Sequence, residues 1–451
     1  MKLSRYFGTR QFCLNAIAIT LPIIAQNLLT TSFSLVDTLM ISSLGTAELT
    51  AVGQCASWIQ LLNVMLFGIS SAAGVQVAQY WGAQDLKKVR QSYGIGISLC
   101  TIVTVLFAAF TILFPSLVMA FYTTDAAVAA AGVQYLRVVG FGFVALGLQN
   151  TANAVLRSTE QVRIPMYGTV ISVLTNIILN YALIFGHFGA PAMGIAGAAL
   201  ASCCSNWVGV LVTYSIGFAK KTILRTQLNA LRPSNIDFVQ RYFKVGLPIM
   251  INELLWGGGT AVQNMIYGHM GTREYAAMTI CTTLEHLITT VFLSLGNATN
   301  VLVGGEIGRG NRERAYENAL IITCWTPVIA AFFGAILIAL RNPITGIFHQ
   351  DADVTLPATR LILIIGLSLP LKFFQYIHIT GILRSGADGV KAALYDFIGV
   401  WCISIPIALI GLLTGAPFLW VYLLATLLDS LVKDVLVFRR FRSKKWIVQI
   451  S

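Results

Sequence analysis

Long apolar runs, each long enough to cross a bilayer, recur from one end of this chain to the other. The 451 residues are 56% hydrophobic and only 11% charged, a balance that excludes an ordinary soluble protein of this size. About twenty apolar residues in a helix span the hydrocarbon core of a membrane. A membrane β-barrel would instead show short segments that alternate between apolar and polar residues. The sequence therefore predicts an all-α polytopic membrane protein.

The apolar runs can be divided into twelve transmembrane helices. We predict them at about 13–43, 50–80, 91–115, 130–157, 164–186, 191–217, 242–268, 276–305, 315–340, 357–384, 391–414 and 417–438. The first run is long, and no small-residue cleavage site follows it, so we expect an uncleaved first helix.

The positions of lysine and arginine predict the orientation of these helices. If the N-terminus is inside, 25 of the 30 basic residues fall in the inner connections and at the C-terminal end, where six lie between Lys433 and Lys445. This is the positive-inside pattern, and it predicts that both termini are cytoplasmic. The net charge of +12 is therefore explained by topology, and no nucleic-acid partner is expected. Arg157 and Arg384 each end an even-numbered helix on this side, where we interpret them as snorkelling anchors.

The chain repeats itself. An ungapped alignment of its second half with its first places Leu21-Pro22-Ile23 on Leu247-Pro248-Ile249, and Gly45-Thr46 on Gly271-Thr272; one position further along, Leu156-Arg157-Ser158 matches Leu383-Arg384-Ser385. The repeats predict an N-lobe of helices 1–6 (1–218), a cytoplasmic linker (219–241), and a C-lobe of helices 7–12 with the basic tail (242–451). Because each repeat has an even number of helices, we expect pseudo-twofold symmetry along the membrane normal.

Each lobe carries a carboxylate inside an apolar run. Asp37 lies in the first helix, at the place of Gln263 in the second repeat, and Glu253 lies in the seventh helix, at the place of Asn27. A charge near the middle of a membrane helix costs roughly 2.5–3.5 kcal/mol on insertion scales, so it normally faces protein or water. Both are therefore candidates for an ion or proton site. The alternative for Asp37 is that it snorkels from the helix end.

Several motifs together resemble the multidrug and toxic compound extrusion (MATE) family. They are P…VDT…SLG in the first helix, then NAVLRSTEQVRIPM, NIILNYALIFG and PAMGIAGAALAS, and LPIMINELLW…IYGHMG and GILRSGADG in the second half. The resemblance covers the whole chain and follows the order of the family's motifs. It implies a cation-coupled exporter with two six-helix bundles around an alternating-access cavity.

The resemblance also implies an ion site in the N-lobe. In one branch of the family, the first-helix Asp, two residues four apart in the fifth helix and a hydroxyl in the sixth form this site; here these are Asp37, Asn176 and Asn180, and Ser202. Residues four apart share one face of a helix, and oxygen ligands suit a hard cation. Asn180 departs from the branch, which often has a second Asp there, so Na⁺ and H⁺ are equal candidates. The asparagines could instead form interhelical hydrogen bonds only.

Glu253 resembles the coupling Glu of another branch of the family. That branch also has an Asp in the tenth helix, and Phe373 stands at its place here, so the C-lobe site is incomplete. A mostly apolar cavity with a few polar groups would suit amphipathic cations. Its candidate residues are Gln149, Asn150, Asn153, Trp256, Gln263, Asn264 and Tyr376.

We therefore predict a secondary active efflux transporter that exchanges amphipathic organic cations, such as drugs or toxins, for Na⁺ or H⁺. The alternative is a flippase of a related fold that moves lipid-linked precursors. Neither a nucleotide-binding loop nor an HExxH motif occurs, so we expect no enzymatic activity, no cofactor, and no metal beyond Na⁺ at Asp37. We expect a monomer in the bilayer of the bacterial plasma membrane.

Overall fold

The described part of the chain forms twelve long helices, and every regular element in it is helical. The computed structural model describes residues 8–347 and 352–450. We number the long helices α1 (Arg10–Ser42), α2 (Thr46–Gly82), α3 (Leu86–Leu113), α4 (Ala126–Ser158), α5 (Arg163–Phe185), α6 (Ile195–Ala219), α7 (Ile236–Met270), α8 (Thr272–Gly308), α9 (Arg312–Ala339), α10 (352–383), α11 (Gly389–Thr414) and α12 (Phe418–Arg442). The predicted twelve-helix architecture is confirmed. Short helices at Pro115–Tyr122 and Arg341–Ile347 precede α4 and α10.

Ten of these twelve helices are long and apolar enough to cross a membrane by length and composition; α7 and α12 are the other two. The largest difference from the predicted boundaries is the start of α7, at Ile236 instead of about 242. Asn235 provides the reason, because its side-chain oxygen accepts a hydrogen bond from the backbone N–H of Phe238 (2.9 Å). Such a cap starts a helix in a polar segment, where hydropathy gives no signal.

The turn from α1 to α2 and the turn from α7 to α8 are built alike. Gly45 has φ +145° and Gly271 has φ +158°, backbone angles that glycine adopts readily. A β-carbon on Gly45 would lie 2.5 Å from a carboxylate oxygen of Glu48, and one on Gly271 would lie 2.2 Å from Glu274. The first two helices of each half are therefore joined by the same short turn, in agreement with the sequence repeat.

The chain forms two compact units. One comprises Leu21–Val77 and Asp85–Phe243; the other consists mainly of the chain from Lys244 onward, together with the start of α1 and Ala78–Gln84. We call them the N-lobe and the C-lobe. The lobe and linker boundaries at 218 and 241 stay a prediction.

In the C-lobe unit, the end of α2 approaches α8 at backbone distance. A β-carbon built on Gly308 would lie 1.9 Å from the carbonyl oxygen of Gln79, and one on Gly82 would lie 2.1 Å from that of Gly305. Small residues allow such close helix contacts, which drive association in membranes through van der Waals packing. These glycines are therefore required for this contact.

We expect Gly308→Ala to destabilise the protein, because the added methyl group forces two backbones apart. Overpacking of this kind costs typically about 1–3 kcal/mol. Gly305→Ala is the matched control, since a β-carbon there has no atom within 4 Å and alanine favours a helix. Thermal unfolding in detergent should give a lower Tm for Gly308→Ala and an equal or higher one for Gly305→Ala. Equal losses of Tm would contradict the close contact.

Candidate functional site

The N-lobe brings the four predicted ion-site residues together. Asp37 comes from α1, Asn176 and Asn180 from one face of α5, and Ser202 from α6. Helices α5 and α6 approach closely at Gly197, where a β-carbon would lie 2.5 Å from the carbonyl oxygen of Leu183. This small residue allows side chains of the two helices to reach one another.

A chain of hydrogen bonds connects these side chains. The Asn180 amide donates to Asp37 Oδ1 (2.7 Å) and to Asn176 Oδ1 (2.6 Å). Asn176 in turn donates to the hydroxyls of Ser202 (3.3 Å) and Ser205 (3.1 Å). Asn176 and Asn180 are almost completely buried. Hydrogen bonds to a charged group contribute about 1.5–3 kcal/mol, so this arrangement holds Asp37 toward α5.

One buried oxygen of this cluster is available to accept a further ligand. Among the residues that the structure describes, no donor lies within hydrogen-bond distance of Asn180 Oδ1. The buried Tyr135 side chain of α4 interacts with the Ser202 hydroxyl and lies near Asp37. A carboxylate, an amide oxygen without a donor and hydroxyl groups are the ligands that a hard cation prefers. The cluster could therefore bind a cation such as Na⁺, or a proton on Asp37.

In the C-lobe, Glu253 of α7 forms a buried ion pair. Its carboxylate lies 2.6 Å from Nη1 of Arg384, and the side chains are 10% and 3% exposed. Arg384 also donates to Oδ1 of Asn252, the residue before Glu253 in α7 (2.7 Å). The interpretation of Arg384 as a snorkelling anchor is wrong: it follows directly after α10 and turns into the protein, because a carboxylate is available there.

The ion pair continues into a larger polar network. Asn252 donates to Asp396 Oδ2 of α11 (2.8 Å). Lys433 of α12 lies 3.5 Å from Asp396 Oδ1 and 2.9 Å from Asp429 Oδ1. Lys433 lies within α12, as the predicted helix bounds have it, and its side chain is only 3% exposed. A charge removed from water needs such partners.

Two π-helical turns flank this network. One, His378–Leu383, directly precedes Arg384, and the other, Ile398–Ser404, follows Asp396 by two residues. A π turn widens the helix locally and is frequent at functional sites. Gly399 in the second turn leaves room for the network, since a β-carbon there would lie 2.1 Å from Asp429 Oδ1.

The C-lobe has no second acid at the position of Phe373. Phe373 is fully buried and stacks on Phe292, with ring centroids 3.8 Å apart. Within the described residues, no group of three or more His, Cys, Asp or Glu side chains could hold a metal ion. Glu285, a further acid within the apolar helix α8, forms an ion pair with Lys372 of α10.

The predicted cavity residues are divided between the two lobes. In α4, Gln149 donates to Asn153 (2.8 Å) and to Thr213 of α6 (3.0 Å), and Asn150 donates to a backbone carbonyl of its own helix. In α7, Trp256 is 42% exposed, and Gln263 donates to the Tyr267 hydroxyl (2.9 Å). Asn264 and Tyr376 are partly buried. Their role in substrate binding stays a prediction.

Sequence reasoning missed several residues of the C-lobe network. Asn252, Arg384, Asp396 and Lys433 are not among the site residues that the sequence predicts. The repeat offered one signal, since Asn252 matches Gln26, another amide, and Arg384 matches Arg157. Ion pairing between distant helices leaves no local pattern, however.

Comparison with known proteins assigns the chain to a family. The chain is 28% identical over 444 residues to the probable multidrug resistance protein NorM of Thermotoga maritima, covering 95% of this chain and 92% of the relative. It is 24% identical over 450 residues to the multidrug resistance protein MdtK of Edwardsiella ictaluri, covering 96% and 97%.

Its fold is similar to that of a solved transporter of the MOP superfamily from Pyrococcus furiosus, with a TM-score of 0.86 at 17% identity and 98% of both chains covered. For that transporter, the reverse polarity of the binding pocket suggests a different function. The family model MatE matches residues 22–182 and 248–410. These two segments cover most of both halves, and the chain therefore belongs to the MatE family of membrane transporters.

Proposed function

We propose that this protein is a multidrug efflux antiporter that exports amphipathic organic cations in exchange for Na⁺ or H⁺ at Asp37. It acts as a monomer in the plasma membrane with both termini in the cytoplasm. The observation that carries the proposal is the buried cluster around Asp37, in which Asn180 fixes the carboxylate and keeps one oxygen without a donor among the described residues. The names of the relatives, multidrug resistance proteins, support the substrate class.

The cluster links ion binding to helix position. Its ligands come from α1, α5 and α6, so a cation bound between them favours the arrangement in which these helices are close. A drug that prefers the other arrangement is released when the cation binds, because each ligand shifts the equilibrium by its difference in affinity for the two states. Antiport follows from this competition.

Glu253 is the second proposed coupling residue. In the described structure its carboxylate is neutralised by Arg384, so uptake of a cation there must weaken this ion pair. The proposed substrate-binding residues in α4, α7 and α10 provide amides and aromatic rings of the kind that bind organic cations through few polar contacts.

We expect Asp37→Asn to abolish ion-driven transport, because asparagine keeps the shape of the side chain and removes its charge. Reconstituted vesicles containing a fluorescent cationic dye should lose gradient-dependent efflux by tenfold or more. Sodium and proton gradients are imposed separately, so the gradient that drives the wild type identifies the ion. Glu253→Gln, measured in the same assay, shows whether the C-lobe carboxylate is also needed for gradient-dependent efflux.

The control for this experiment is Asp125→Asn. Asp125 caps the first turn of α4 through two backbone N–H groups, and asparagine caps a helix equally well. This variant should transport normally. Full gradient-driven efflux by Asp37→Asn, with loss only in Glu253→Gln, would contradict the N-lobe site.

We expect Asn180→Asp to increase Na⁺ affinity about tenfold or more at neutral pH. The substitution places a second carboxylate next to Asp37. In the unsubstituted protein, the Asn180 side-chain nitrogen lies 2.7 Å from Asp37 Oδ1. A bound cation then compensates two charges that otherwise repel each other. Equilibrium binding of radioactive ²²Na⁺ to the purified protein measures the change. Unchanged binding that remains in Asp37→Asn would show that Na⁺ binds elsewhere.

A further inference from the structure

The N-lobe contains a small hydrogen-bonded unit that does not belong to the ion site. Arg157, at the end of α4, donates to Gln26 Oε1 (2.8 Å), and Gln26 donates to Thr169 Oγ1 of α5 (2.9 Å). Arg157 thus points into its lobe, as Arg384 does, and its interpretation as a snorkelling anchor is also wrong. Gln26 is 3% exposed. It lies eleven positions before Asp37 in α1, which is roughly 16 Å along a helix, so the two features are separate.

The C-lobe contains the same unit with a carboxylate as the last acceptor instead of a hydroxyl. Arg384, after α10, donates to Asn252 Oδ1 of α7, and Asn252 donates to Asp396 of α11. We call both units arginine clamps: an arginine, an amide from the first helix of the lobe, and an acceptor from the fifth helix of the lobe.

The members of the two clamps also match in the sequence repeat. Asn252 takes the place of Gln26 in the ungapped alignment of the two halves. One position further along, the alignment pairs Arg384 with Arg157 and Asp396 with Thr169. The two clamps are therefore equivalent features of the two lobes, and one can serve as a control for the other.

Besides the acceptor, which is Thr169 in one clamp and Asp396 in the other, the clamps differ at one neighbouring position. Glu253, next to the amide of the C-lobe clamp, forms an ion pair with Arg384, whereas the matching residue of the N-lobe is Asn27, which is neutral. The clamp architecture therefore does not need the carboxylate. A glutamate beside the arginine is present in one lobe only.

We propose that Arg384, held by Asn252, is a positioning residue that reserves Glu253 for a proton and excludes a metal cation. This inference rests on the proposed coupling role of Glu253. A metal ion at the carboxylate would lie close to the guanidinium, and like charges at short distance repel strongly in a protein interior. A proton instead forms a covalent O–H bond with one carboxylate oxygen, and the neutral acid still accepts a hydrogen bond from Arg384 through its other oxygen.

The described neighbours of Glu253 are poorly suited to complete a metal site. The Asn252 amide is engaged on both sides, as acceptor from Arg384 and as donor to Asp396. Phe373, buried against Phe292, replaces the acid that could complete a site. Metal binding at Glu253 would therefore require the clamp to open.

The other charged groups around Glu253 are already compensated. Glu253 also interacts electrostatically with Asp396 of α11 and with Tyr376 of α10. Asp396 pairs with Lys433, and Lys433 pairs with Asp429 within α12. Among these described groups, the Arg384 charge therefore directly opposes a second cation at Glu253.

The test is ²²Na⁺ binding to purified protein at pH 7.5 in an Asp37→Asn background, which removes the N-lobe site. This background alone should bind no Na⁺. Adding Arg384→Gln should create a site for about one Na⁺ per molecule, and adding Glu253→Gln as well should abolish it. Arg384→Lys, which keeps the charge, should bind no Na⁺. Arg157→Gln is the matched control from the other clamp and should also bind none.

Two results would overturn the proposal. One is Na⁺ binding by the Asp37→Asn background that Glu253→Gln removes, since Arg384 is then present and does not exclude the ion. The other is a folded Arg384→Gln variant, with cooperative thermal unfolding, that binds no Na⁺.

If the Arg384→Gln variant fails to fold, a second comparison in the N-lobe clamp tests the same proposal. In the same background, Asn27→Glu beside the intact Arg157 should bind no Na⁺, and Asn27→Glu with Arg157→Gln should gain it; the opposite order contradicts the clamp mechanism. A wild-type protein that transports no drug in either gradient would refute the proposed function, whereas these binding measurements would still decide the role of Arg384.

Discussion

The cost of a charge inside a bilayer determines where this protein can place its polar groups. The intramembrane acids of both candidate sites have partners on other helices: Asp37 is bound by an asparagine of α5, and Glu253 is neutralised by Arg384. These contacts connect helices that are far apart in sequence. The packing of each lobe and its chemistry therefore depend on the same side chains, and ion exchange at one of them must alter helix packing.

The two lobes solve this problem differently. The N-lobe site has one acid surrounded by neutral oxygen and nitrogen groups, which leaves its charge available to a cation. The C-lobe network contains Glu253, Asp396 and Asp429 with Arg384 and Lys433, so most of its charge is compensated internally. The repeat that created two similar bundles thus supports two different kinds of electrostatic site.

The fold could be predicted from sequence because hydrophobic length, basic loops and internal repeats are local or periodic signals. The N-lobe residues could be found because Asn176 and Asn180 share a helix face and match a family motif. The partners of Arg384 could not be found in this way. Snorkelling and burial give the same sequence pattern at a helix end, and only the approach of α7 to α10 distinguishes them. Similarly, Lys433 precedes a cluster of basic residues in the sequence, but its side chain is buried inside the C-lobe.

The π-helical turn before Arg384 has an evolutionary consequence. Earlier in these helices the two lobes are in one register: a β-carbon on Gly140 of α4 would lie 2.7 Å from Ile112, and one on the matching Gly366 of α10 would lie 2.7 Å from the matching Ile338. The arginines match only one position further along, so α10 has one residue more than α4 between this glycine and the arginine. In a regular helix such an insertion would rotate everything after it by about 100°. A wide turn absorbs the extra residue instead, so the duplicated helices could diverge in length while both arginines kept facing the first helix of their lobe.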